Sequence, residues 1–306
     1  MLLTLFGVAL LVFCLLRLLP GDEITGRLGT EAGNLSVEQL AALRAYYGLD
    51  QSLPAQFFSW MGSVFAGNFG VSVTTGEPVS QLLTDALPVT IELALLSTLI
   101  GLLLGVSLGV FAASRSGGGD ALGQSFGLLG LGVPNFVLAS AIVAVLSTYF
   151  GYFPSAGAYV GITEDPWLNL QQQILPAIVL GVALAAIVMR TTRSAYLEQA
   201  QQDFVRTARG KGLTARRVRW RHIVHNAAVP IVTITGIQLG YLLGGTIVVE
   251  QVFGLPGLGR LVLTGIAQRE YAVVQSVVLV IAAMFVLVNM LVDLIYAWID
   301  PRVKLS

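Results

Sequence analysis

Tyr196-Leu-Glu-Gln-Ala-Gln-Gln-Asp-Phe-Val-Arg-Thr-Ala-Arg-Gly-Lys-Gly-Leu-Thr-Ala-Arg-Arg-Val-Arg-Trp-Arg-His-Ile-Val-His-Asn226 is the stretch that organises this chain. It is dense in arginine, carries a glycine at its centre, and is flanked on both sides by long apolar runs. Phe204 to Arg209 is helix-compatible, Gly212 breaks the pattern, and Thr214 is placed as the N-cap of a second helix. Helix, glycine, helix is an ordered elbow. Arginines held on one side of a membrane explain the charge but not that order, so the reading favours a docking surface over a purely topogenic loop. With one Trp to stack bases and so short a length, it is a poor nucleic-acid site.

Outward from the elbow the chain is apolar. Of its 306 residues 55% are hydrophobic and 11% charged, with zero net charge, where soluble domains carry about 25% charged residues. That leaves too little polar surface to solvate a globule of this size and points to a polytopic membrane protein. Cys14 is the only cysteine, so no intrachain disulfide forms. Six segments are long and apolar enough to cross a bilayer, at residues 2–19, 88–113, 121–150, 174–192, 229–249 and 273–299. None shows the alternation of a barrel strand, so the fold class is all-α.

The first segment has no small-x-small cleavage site after it and reads as a retained helix. No basic residue precedes it, and the reading expects a few residues ahead of Met1. Lysine and arginine set the orientation. Arg190, Arg193, Arg206, Arg209, Lys211, Arg216, Arg217, Arg219 and Arg221 join Arg115, Arg302 and Lys304 on one side. The other side holds Arg27, Arg44, Arg260 and Arg269 among acids such as Asp22, Glu23, Glu31, Glu38, Asp50, Glu77 and Asp85. Both termini are therefore expected inside.

The domain layout expected is a transmembrane helix over 1–20, an extracytoplasmic segment over 21–86, a core over 87–299 whose cytoplasmic loop is 194–227, and a tail over 300–306. Within the outer segment Ser36 caps a helix with Gln39 three residues on, Leu40, Leu43 and Tyr47 recur at helical spacing, and Gly48 ends it. A second short helix carries Phe57, Phe58, Trp60 and Met61 and suits the membrane interface, as a cap on its own helices rather than a substrate site.

Glycines recur every fourth residue at Gly101, Gly105 and Gly109 and again at Gly236, Gly240 and Gly244. Small residues let helices approach in lipid, which is the reading for the first set. In the second set Gln238, Tyr241 and Thr246 interleave, and helix packing and a translocation path at a partner interface stand as equal readings. Pro134, after Gly130 and Gly132, kinks the third span, for gating or simply for shape. Asn289 and Asp293 share a face of the last span near its inner end. Glu92 and Glu250 sit near outer helix ends, where they either meet an ammonium group or stand in water. The segment 253–259 reads as a tight or re-entrant turn over the outer mouth. His222 and His225 share a face at i, i+3 but lack further ligands, so no metal is expected. No phosphate loop, zinc-protease or nucleophile-elbow motif occurs.

Phe204-Val-Arg-Thr-Ala-Arg-Gly-Lys-Gly212-Leu, with Arg221-His-Ile-Val-His-Asn226 and Pro230, resembles the cytoplasmic signature loop of binding-protein-dependent ABC importer permeases. The subgroup it is most similar to is the first permease of dipeptide, oligopeptide and nickel importers. The likeness runs along nearly the whole chain, through Arg17-Leu-Leu-Pro-Gly-Asp22, Tyr47-Gly-Leu-Asp50, Gln56, Trp60, Gly67-Asn-Phe-Gly70, Leu87-Pro-Val-Thr-Ile-Glu92, Val249-Glu-Gln-Val-Phe253, Pro256-Gly-Leu-Gly259, Asp293 and Asp300-Pro-Arg302. Where the family motif begins Glu-Ala-Ala this chain has Arg206-Thr207-Ala208, and His225 stands where many relatives have proline. No ion-pair role is therefore carried over from that glutamate.

The resemblance implies a type I ABC importer transmembrane fold of six helices in a bacterial or archaeal inner membrane. It implies that Phe204, Val205, Arg206, Thr207, Ala208, Arg209, Lys211, Gly212 and Leu213 couple to an ATPase. The implied partners are a second homologous permease, two ATP-binding subunits and an extracytoplasmic solute-binding protein. No cofactor is bound by this chain, with ATP and Mg on the ATPases and no enzymatic activity here. The implied cargo is peptide, with nickel chelates, glutathione or another small polar solute as alternatives. A channel subunit is the rival class, but no TVGYG filter is present and a channel needs no ordered elbow.

Overall fold

The computed structural model of the chain describes residues 2–18, 36–46, 49–115, 118–152, 154 and 158–299. Among them the backbone is almost wholly helical, and the only β pairing is an isolated bridge between Val71 and Pro78. The helices are α1 (Leu2–Leu18), α2 (Val37–Tyr46), α3 (Leu53–Phe65), α4 (Val79–Ser114), α5 (Gly118–Gly132), α6 (Asn135–Phe150), α7 (Pro166–Ala200), α8 (Asp203–Gly210) and α9 (Ala215–Arg217), which runs on into a π-helical segment, Val218–Val224. They continue with α10 (Ala228–Gly245), α11 (Ile247–Phe253), α12 (Leu258–Ala267) and α13 (Tyr271–Ile299). The expected helix end at Gly48, Tyr47, the acids Asp22, Glu23 and Glu31, Arg27, and the tail with Arg302 and Lys304 lie outside the described residues.

Three helices, α4, α7 and α13, are each long and apolar enough to cross a membrane, and up to six spans result if each of three bent pairs is counted as one. The single helix expected over 121–150 is interrupted. Residues 125–132 and 135–150 meet at 89°. Pro134 supplies no N–H and holds φ at −60°, so α6 starts afresh rather than continuing α5 through a kink. The 229–249 segment runs as α10 and α11 through Thr246, which keeps helical φ and ψ of −71° and −18°, donates its N–H to the Leu242 carbonyl at 3.0 Å and accepts from the Glu250 N–H at 2.8 Å. Large apolar side chains stand exposed on many helices, including Leu128, Leu129, Tyr149 and Phe150. A surface of that kind is covered by lipid or by other helices, not by water.

The described residues fall into two compact units, one within Met1–Val89 and Pro256–Met284, the other within Thr90–Leu255 and Phe285–Ser306. In the first, α3 packs its aromatic face on α1. Phe57 meets Phe6 and Phe13 edge-on at 5.7 and 5.2 Å, and Trp60 stacks on Phe13 at 6.1 Å. These ring contacts pack α3 against α1. Arg17 donates Nε and Nη2 to Gln56 Oε1, at 2.8 and 2.6 Å, with its guanidinium 4.0 Å above the Phe13 ring. Ser36 and Gln39 form the reciprocal capping box of α2. Glu270, 5% exposed, accepts the backbone N–H groups of Val73 and Thr74.

The second unit is built on α4 and α7. Asp165 caps α7 by accepting from the N–H groups of Trp167 and Leu168, with Pro166 in the first turn. Gly101 lies against Leu184, Gly105 against Val188 and Gly109 against Thr192, so each step of four on α4 is a step of four on α7. A Cβ on Gly105 would sit 2.9 Å from the Ala185 carbonyl oxygen, and one on Gly109 2.8 Å from that of Met189. Gly181 returns the contact against Ile100 and the Ser97 carbonyl. The expected small-residue helix contact is therefore present, in parallel and in register. Gly236 and Gly240 pack likewise on Val292 and Phe285 of α13, whereas Gly244 faces open space.

Candidate functional site

The elbow is formed by α8, Gly212 and α9. Gly212 takes φ 75°, a conformation that costs glycine little and other residues more, and it turns the chain between the helices. Thr214 Oγ1 accepts from the Arg217 N–H and caps α9. The residues expected to couple divide by face. Val205 and Ala208 are buried and form one core with Val110 of α4, Tyr196 of α7, Val218 and Ile223, against which Leu213 also packs. Phe204, Arg206, Thr207, Arg209, Lys211 and Gly212 are exposed. Buried residues therefore fix the elbow to α4 and α7, and the exposed ones are what another molecule can touch. Arg206 lies 3.6 Å from Asp203 in a fully solvated pair worth little. A groove lined by Thr214, Arg216, Arg217, Trp220 and Arg221 adjoins it.

The residues expected on a path separate. Gln238 and Tyr241 line one recess with Asn135, Leu180, Ala183, Leu184, Ile187 and Leu242. Thr246 is fully buried and does not line it. The Tyr241 ring stands edge-on to Phe285 at 6.3 Å, the same ring that Gly240 packs against. Helix packing and a lined recess thus coexist on α10, and Tyr241 takes part in both.

Water does not explain the two glutamates. Glu250 is fully buried and accepts from the Thr90 hydroxyl at 2.8 Å. Glu92 Oε2 accepts from Tyr159 Oη at 2.9 Å and from Asn169 Nδ2 at 3.0 Å, while Asn169 and Gln173 also donate to Tyr159 Oη at 2.8 and 2.9 Å. This cluster ties the segment after α6 to α4 and α7. Burial pushes the Tyr159 hydroxyl up to about 12, since its anion is poorly solvated there; the bonds from Gln173 and Asn169 pull the other way, and the nearby Glu92 carboxylate adds to the rise. Sequence spacing gave no signal for Tyr159, Asn169 or Gln173. His222 and His225 gather no third ligand, and no group of three His, Cys, Asp or Glu side chains fit for a metal occurs among the described residues.

Residues 101–305 match the family described as binding-protein-dependent transport system inner membrane component, and residues 1–94 match the N-terminal region of such membrane components. The chain belongs to this family. It is 41% identical over 302 residues to the "Probable peptide ABC transporter permease protein y4tP" of Sinorhizobium fredii, covering 97% of this chain and 94% of that one. It is 38% identical over 302 residues to the glutathione transport system permease protein GsiC of Salmonella typhimurium, covering 98% and 95%. Among solved structures, a chain of the MetNI methionine ABC transporter in inward-facing conformations superposes with TM-score 0.57 at 18% identity, covering 72% of this chain and 97% of that one. A chain of an amino acid ABC transporter with histidines gives TM-score 0.54 at 20% identity, covering 71% and 94%. The fold is that of ABC importer permeases, and the protein is a multi-pass membrane permease subunit of such an importer.

Proposed function

We propose that this permease pairs with a homologous second permease to enclose a path for di- and oligopeptides across a bacterial or archaeal inner membrane, with both of its termini in the cytoplasm. Two ATP-binding subunits carrying ATP and Mg dock from that side, and a solute-binding protein delivers cargo outside. The permease itself makes and breaks no bonds. The proposed layout is a first helix over 1–20, an outer segment over 21–86, a core over 87–299 and a cytoplasmic tail over 300–306.

The observation that carries the reading is the two-faced elbow. Val205 and Ala208 lock it to α4 and α7, and Phe204, Arg206, Thr207, Arg209 and Lys211 are free to seat in a partner. Nucleotide-driven movement of the ATPases then displaces α4 and α7 directly, biasing two global states of the path. Gln238 and Tyr241 face that path.

The test is uptake by the assembled importer in proteoliposomes with Gly212→Leu. At φ 75° leucine is strained. Insertion is expected to persist while peptide uptake is lost, and ATP-coupled uptake at the wild-type rate would overturn the elbow assignment. Glutathione is a second reading, favoured by the identity to a glutathione permease. Competition between a labelled dipeptide and glutathione for uptake separates the two.

A further inference from the structure

We infer that the recess on α6, α7 and α10 reads the peptide group of the cargo, its N–H and C=O, through uncharged side chains, and is blind to charge on the cargo's side chains. The inference rests on the peptide-import reading above and adds Asn135 to the path.

The polar groups of the recess are the carboxamides of Asn135 and Gln238 and the hydroxyl of Tyr241; the walls are aliphatic, with Leu180, Leu184 and Ile187 from α7. No charged side chain lines it. None of the three polar side chains makes a hydrogen bond among the described residues. Tyr241 is exposed and Asn135 and Gln238 are half-buried on this subunit, and at membrane depth such groups are matched by a partner helix, by water or by something that passes. Each carboxamide presents a donor pair and an acceptor, the complement of a peptide group. The interrupted backbone at residues 133–134 lies beside the recess, and a broken helix at membrane depth is tolerated where it lines a cavity or is buried in protein. The recess measures about 230 Å³, less than the roughly 300 Å³ at which pockets begin to hold a whole small molecule. It therefore takes a segment of main chain at a time, the opposite wall coming from the second permease. Recognition of this kind suits cargo that varies in every side chain and shares only its backbone.

The test uses the complete importer in proteoliposomes with saturating binding protein. Uptake is compared for a neutral tripeptide, its depsipeptide with an ester in place of the central amide, and tripeptides with an acidic or a basic central side chain. Wild type should move the amide about five- to tenfold faster than the ester, the effect of one lost hydrogen bond, and should treat the charged series alike. The Asn135→Leu/Gln238→Leu variant should move amide and ester at one slow rate. Gln238→Glu should slow the acidic tripeptide and favour the basic one. An amide preference that survives in the double variant, or a charge series left flat by Gln238→Glu, overturns the inference and leaves the peptide reading standing. An assembled, ATP-hydrolysing wild-type complex that moves no peptide overturns the peptide reading and the inference with it.

Discussion

Glu250 and Thr90 are 160 positions apart in sequence and 2.8 Å apart in space, the threonine hydroxyl donating to a carboxylate that has no exposure at all. The hydroxyl is thus part of what lets an acidic side chain sit inside an apolar bundle. Thr90→Val keeps the shape and removes the donor. It is expected to destabilise the subunit by roughly 1–2 kcal/mol, read as a lower melting temperature of the purified importer, with Thr90→Ser close to wild type. An unchanged melting temperature for the valine variant counts against the bond.

Gly105→Ala should cost about 1–3 kcal/mol as an overpacked contact, because the new methyl meets Val188 and the Ala185 carbonyl oxygen at 2.7 to 2.9 Å. Gly244→Ala, which meets nothing within 4 Å, is the matched control. Thermal stability of the two variants in detergent should separate them, and equal values would mean that α4 and α7 do not approach as described.

On the elbow, inward and outward faces should fail differently. Val205→Asp puts a charge into the core shared with Val110 and Tyr196 and is expected to abolish stable subunit accumulation in the membrane. Phe204→Ala and Arg209→Ala touch only exposed positions and should leave accumulation intact while weakening co-purification of the ATPase at least several-fold. Full co-purification of both exposed-face variants would remove the docking role from this face.

Tyr159 carries a pH signature. Its hydroxyl is held protonated in the folded state up to about 12, against an ordinary value of 10.0, chiefly by burial. The protonated form is favoured by folding, so its contribution is fully present below about pH 10 and is lost as pH rises through about 12. The difference in tyrosinate absorbance between wild type and Tyr159→Phe should therefore titrate well above that of an exposed tyrosine. A difference titration centred near pH 10 would show that the hydroxyl is not enclosed by Glu92, Asn169 and Gln173.

What was legible in the sequence is local. The Thr214 cap, the turn at Gly212 and the Ser36–Gln39 box depend on residues three positions or fewer from one another. The spacing of Gly101, Gly105 and Gly109 announced a close helix contact, but not with which helix, since Leu184, Val188 and Thr192 look like any apolar face. Glu92 could not be read because its partners lie 67 to 81 positions on, in a loop and a helix that spacing does not connect to it. Glu250 read equally as meeting an ammonium group or standing in water, because a carboxylate near a span's edge has both solutions available; burial beside Thr90 is a tertiary choice. Pro134 signalled a kink, and the preceding Gly132 and Val133 let the chain stop altogether.

The register between α4 and α7 has a mechanical consequence. Two rods whose glycines seat against the neighbour at three successive turns, reaching its backbone at two of them, cannot slide past one another without lifting apart. At one end of this pair sits the Val110–Tyr196–Val205 core, and at the other the Tyr159 hydroxyl spans Glu92, Asn169 and Gln173. On the proposed coupling, a push delivered to Phe204 is then not dissipated as bending along the way. It arrives as displacement of the 158–165 segment at the far end, so that this pair works as a strut and the stroke is set by geometry rather than by softness.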